Sequence, residues 1–134
     1  MYLSMRKGKY LVLLSIIIFF LNLFFSSSLN SCVENYGIAF GWEIPLVEIL
    51  SFVLIGILLI LSFTLKGRLR YIFLSLCIAG SSNLIERVLN GFVCDFITIF
   101  NISLNLVDIW ITVLVAYAVL SFLKIENGSK NRGE

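Results

Sequence analysis

The stretch Leu46 to Leu89, LVEILSFVLIGILLILSFTLKGRLRYIFLSLCIAGSSNLIERVL, contains two apolar runs divided by a short basic link. The runs cover about Leu46 to Leu65 and about Leu69 to Leu89, with Lys66, Arg68 and Arg70 filling the link. A bilayer core of roughly 30 Å needs about 20 helical residues, so each run is long enough to cross. A link this tight makes them antiparallel neighbours. Outward from this pair lie two further runs of similar length, about Leu11 to Leu29 and about Leu104 to Leu123. All four should be helices, because an open sheet would leave backbone groups unpaired in lipid. The expected architecture is therefore an all-α integral membrane protein: one domain, residues 1–134, of four transmembrane helices.

Composition agrees. Of 134 residues, 60% are hydrophobic and 13% charged, with mean hydropathy +1.03. A water-soluble domain is usually about 25% charged. The net charge of +2 is too small and too scattered for nucleic-acid binding. The basic residues instead report topology. Arg6, Lys7 and Lys9 precede the first run, the Lys66–Arg70 cluster follows the second, and Lys124, Lys130 and Arg132 follow the fourth. The remaining connections hold Arg87 among basic residues, with acidic Glu34, Glu43, Glu86 and Asp95. The positive-inside rule puts both termini and the middle link in the cytoplasm, leaving a small extracytoplasmic loop region. Residues 125–134 read as a flexible cytoplasmic tail.

The chain has no histidine. That excludes Ser-His and Cys-His nucleophile pairs and the usual His-bearing zinc sites, so any proton chemistry falls to carboxylates, lysine, tyrosine or cysteine. Cys32, Cys77 and Cys94 form no CxxC. Cys77 reads as packing, while Cys32 and Cys94 both fall near the outer face, where a disulfide is compatible with the sequence but not dictated by it.

Asp95 and Asp108 stand out, one just outside the third run and one about a helical turn inside the fourth. An ionisable group within a membrane helix is costly and points to function. Two carboxyls that meet at one membrane face could share a proton and activate water as an aspartic protease does. The bland alternative is that Asp95 caps a helix and Asp108 pairs with Arg87. Asn83 and Arg87 are four apart on the third helix, and Asn105 and Asp108 three apart on the fourth, so each pair shares a face. Two such stripes at matching depth imply a polar pocket between the helices. Glu86 and Glu48 read as interfacial, Trp42 and Trp110 as interface anchors.

Three stretches resemble the lipoprotein signal peptidase (signal peptidase II) family. Asn35-Tyr36-Gly37-Ile38-Ala39-Phe40 is similar to the family's Asn-x-Gly-Ala-Ala-Phe element. Gly80 to Arg87, followed by Gly91 to Ile97, is similar to its Gly-Asn-Leu-Ile-Asp-Arg and Gly-x-Val-x-Asp-Phe pair. Leu104 to Asp108 is similar to its Phe-Asn-x-Ala-Asp element. The resemblance implies a catalytic dyad of Asp95 and Asp108, with Asn35, Gly37, Asn83, Arg87 and Asn105 supporting substrate and dyad. It implies an aspartic endopeptidase of the bacterial inner membrane, its site near the extracytoplasmic face. Such an enzyme removes the signal peptide of prolipoproteins before a diacylglyceryl-modified cysteine. Its partners are the lipid-modified substrate and membrane lipids. A monomer is expected, with no nucleic acid and no metal or organic cofactor. The sequence departs from the family at Asn22 and Ser26, where an aspartate and a lysine usually stand, at Glu86 in place of aspartate, and in shorter outer connections. Those departures motivate the rival reading, a family-derived membrane protein that binds lipid or a protein partner without peptidase activity.

Overall fold

The computed structural model describes residues 2–37 and 45–130. Trp42, residues 38–40 of the first matching stretch and residues 131–134 lie outside them. Four helices form the bundle: α1 (Tyr2–Ser28), α2 (Val47–Thr64), α3 (Gly67–Asn90) and α4 (Leu106–Lys130). Each contains a segment long and apolar enough to cross a membrane, so the protein is an all-α, multi-pass membrane protein with both ends of the bundle chain on one side. α4 continues to Lys130, through part of the stretch read from sequence as a flexible tail. Lys124, Ile125 and Glu126 carry a helix well, and no proline stops it.

α3 is the central element, packed against all three other helices. It is the least apolar of the four spans and by far the most buried. That inversion suits a bilayer: lipid accepts the greasiest surfaces, and polar side chains are sheltered inside the bundle. Away from the strands described below, Leu69, Ile72 and Leu76 of α3 pack against Leu114 and Ala118 of α4. Spacings of three and four residues put each set on one helical face. Trp110 adds a polar tie. Its indole N–H donates to Ser15 Oγ on α1 at 2.7 Å, an interhelical bond that the sequence reading did not anticipate.

The α2–α3 link is only Leu65 and Lys66, and Gly67 opens α3 at φ 65°, a left-handed conformation that glycine adopts without penalty. At the other end of α3, Gly91 at φ 81° closes the helix, its N–H donating to the Arg87 carbonyl at 2.8 Å. This C-terminal turn redirects the chain into four short strands: β1 (Val33–Asn35), β2 (Val93–Asp95), β3 (Ile97–Ile99) and β4 (Ile102–Leu104). β1 pairs antiparallel with β2 in the register Val33↔Asp95, Glu34↔Cys94, Asn35↔Val93. β3 pairs antiparallel with β4, turning through Phe100 and Asn101 at positive φ. A disulfide joins Cys32 to Cys94 with 5.4 Å between Cα atoms, inside the ordinary range. Cys77 is free and buried.

Candidate active site at the strand end of the bundle

Asn105 is the hub. It is fully buried and stands immediately before the first residue of α4, with Asp108 three residues on. Its Oδ1 accepts the Asp108 N–H at 3.0 Å, and Asp108 Oδ2 accepts the Asn105 N–H at 3.2 Å. This is a reciprocal capping box, which places the Asp108 carboxylate in the first turn, where the helix dipole favours negative charge. The same Asn105 side chain reaches outward: its Nδ2 donates to Asp95 Oδ1 at 3.1 Å and to Asn83 Oδ1 at 3.3 Å. Asn83 in turn donates to Asp108 Oδ1 at 3.0 Å. Both carboxyls are thus bonded to one asparagine. The pocket expected from the two stripes on α3 and α4 is present, and Asp108 meets Asn83 across it.

Asp95 lies in β2, nearly fully buried. Its Oδ2 accepts from Asn35 Nδ2 at 2.9 Å. Burial pushes the Asp95 carboxyl up to about 6; the bonds from Asn35 and Asn105 pull it down, and the negative charges of Asp108 and Glu86 add to the rise. Asn35 Oδ1 accepts the Gly37 N–H at 2.9 Å, and the Gly37 carbonyl accepts from Arg87 Nη2 at 2.5 Å. Arg87 Nη1 donates to Ser51 Oγ on α2 at 3.4 Å. Arg87 is therefore buried and spends its hydrogen bonds on the chain leaving β1 and on α2. The pairing of Arg87 with Asp108 considered from sequence is not among these hydrogen bonds.

Glu86 corrects the sequence reading. It is 2% exposed, not interfacial. Its Oε1 accepts from Asn22 at 2.8 Å, and its Oε2 accepts from Ser26 Oγ at 2.8 Å and from the Cys94 N–H at 2.9 Å. Asn22 and Ser26, the two departures in the first helix, are thus its partners. Together they tie α1, α3 and β2 beside Asp95. Sequence reasoning missed this cluster, although a buried asparagine and serine four apart in an apolar run are a signal of the kind used for Asn83 and Arg87.

A cavity of about 250 Å³ opens between α2, α3 and α4. Its polar lip is Asn35, Ser51, Asn83, Arg87 and Asp108; its apolar wall includes Leu54, Ile55, Leu58 and Leu76. A second, of about 340 Å³, lies along α4 and β4 and is also lined by Asp108. Among the described residues there is no cluster of three or more histidine, cysteine or acidic side chains able to hold a metal ion.

Residues 9–124 match the family model for signal peptidase (SPase) II. The chain belongs to the signal peptidase II family. Among curated proteins and among solved structures, no match to it is found. Membership in this family, together with the four membrane-competent helices, supports a membrane protease of lipoprotein processing. The matched region contains every residue of the hydrogen-bond network around Asn105 and the whole Glu86 cluster.

Proposed function

We propose that the protein is an aspartic endopeptidase that removes the signal peptide from bacterial prolipoproteins, cleaving before the diacylglyceryl-modified cysteine. The observation that carries the reading is the single asparagine bonded to both Asp95 and Asp108. Two carboxyls that share one hydrogen-bonding residue in a poorly solvated site disfavour each other's ionisation, so one keeps its proton. We assign that proton to Asp95, whose carboxyl is raised to about 6 by burial and by the neighbouring negative charges. Asp108 is then the base.

Asp108 takes a proton from water, and the hydroxide-like oxygen attacks the scissile carbonyl carbon while Asp95 donates its proton to the carbonyl oxygen. The resulting tetrahedral diol collapses as the nitrogen of the departing bond takes the proton from Asp108. The diol returns a proton to Asp95, which restores the dyad. Asn83 and Asn105 hold the Asp108 carboxylate at a fixed angle, and Asn35 does the same for Asp95. The cavity, polar at its lip and apolar below, suits a substrate with a peptide at the interface and hydrocarbon in the bilayer.

The site faces outward from the bacterial inner membrane in this reading. Basic residues lie at the opposite end of the helices, and a disulfide at the strand end suits an oxidising compartment. The test is cleavage of a diacylglyceryl prolipoprotein by the purified chain and by D95N and D108N. Each variant should fall by about a thousandfold or more. Intact substrate with the unaltered chain, or full activity in either variant, would refute the proposal in favour of a lipid- or protein-binding role.

A further inference from the structure

Asp95 sits on a strand of only three residues, paired with another of three. Two-stranded ribbons are marginal on their own, and a slip of one residue turns every side chain to the opposite face. Such a slip here would carry the Asp95 carboxyl away from Asn35 and Asn105. The register therefore needs an external hold, and Cys94, the residue before Asp95, has two. Its N–H is bonded to Glu86, and its sulfur is bonded to Cys32, the residue before β1. Val33, next to Cys32, is the register partner of Asp95. The covalent link and the strand pairing thus fix the same point from both sides, one residue from the carboxyl.

We propose that the Cys32–Cys94 disulfide is a positioning element for peptide cleavage, holding β1 on β2 so that the Asn35 amide stays on Asp95. This rests on the assignment of Asp95 to the dyad. α1 also packs along α3, which gives the bundle a hold on α1 besides the link. Loss of the disulfide leaves a folded protein whose dyad is assembled for only part of the time, and the loss falls on kcat rather than KM.

The experiment uses the full chain in detergent micelles, carrying Cys77→Ala so that thiol titration reports only the pair. It compares the oxidised protein, the same protein reduced by a phosphine, the reoxidised protein, and the C32S/C94S variant. Prolipoprotein cleavage should lose about tenfold or more in kcat on reduction, with KM within about twofold, and reoxidation should restore it only where both cysteines remain. Amide exchange at residues 93–95 should quicken by about tenfold on reduction while α1 and α3 amides keep their protection. Equal kcat and unchanged exchange in the two redox states overturns the inference. So does a loss of helical protection that parallels the loss of rate, which would make the link a general stabiliser. An oxidised chain that never cleaves, yet shows the localised exchange change, sinks the aspartic-peptidase reading and leaves the register role standing.

Discussion

Replacing Asn105 separates two jobs held by one side chain. In Asn105→Ala, α4 loses its N-cap, worth about 1 kcal/mol. The Asp95 and Asn83 oxygens that accept from its Nδ2 lose a donor in a buried place, at about 1–3 kcal/mol. The sum is about 2–4 kcal/mol. Asn105→Ser keeps a capping oxygen but is too short to reach Asp95, so it should cost about 1 kcal/mol less than alanine. Activity should not follow that order. Both variants break the bridge between the carboxyls, and both should cut kcat by about a hundredfold. Thermal unfolding in micelles followed by circular dichroism gives the first comparison, and steady-state prolipoprotein cleavage the second. Serine restoring cleavage in proportion to its restored stability would refute the bridge and reduce Asn105 to a helix cap.

The proton on Asp95 makes cleavage pH-dependent: kcat/KM should fall as pH rises through about 6, where that carboxyl ionises and the acid is lost. Asn35→Leu removes a bond that favours the ionised form, so the alkaline limb of the same profile should move to higher pH. At Glu86, glutamine should be tolerated to within about 1 kcal/mol in urea or thermal unfolding, because Asn22 Oδ1 has no partner and can turn to accept the new amide. Glu86→Ala strands three donors and should cost about 2–4 kcal/mol in the same assay. Gly8→Ala tests packing against propensity: alanine is the better helix former by about 1 kcal/mol, but its Cβ would run into the Tyr71 ring. Overpacking costs about 1–3 kcal/mol, so melting should show net destabilisation.

Four helices were legible because a run of about twenty apolar residues has one physical use, and the tight Lys66–Arg70 link left little freedom in how two of them meet. The pairing of Asn83 with Asp108 was legible for a similar reason: polar side chains at matched depth on antiparallel helices have to meet. The strands were not. Three residues are too few for alternation to stand out from an apolar background, and their pairing is set by contacts from elsewhere, notably Glu86. That glutamate was misread because position along a run gives depth but not direction. Ala79, Ser82 and Glu86 form a buried face of α3, and Asn22 and Ser26 lie opposite on α1. Matching those two faces would have moved Glu86 from the interface to the interior. The Trp110 hydrogen bond was not legible from residue type, because its partner is 95 positions away.

The two-residue link between α2 and α3 also bears on how the protein enters the bilayer. α3 carries Asn83, Glu86 and Arg87, the kind of cargo that makes a lone helix reluctant to leave water. Joined through Leu65 and Lys66 to α2, the most apolar span, it need not cross alone. Insertion as a hairpin lets the greasy member carry the polar one, with the basic turn retained on the side from which both started. Lengthening that turn with a flexible insert should uncouple the two crossings and leave α3 outside the membrane.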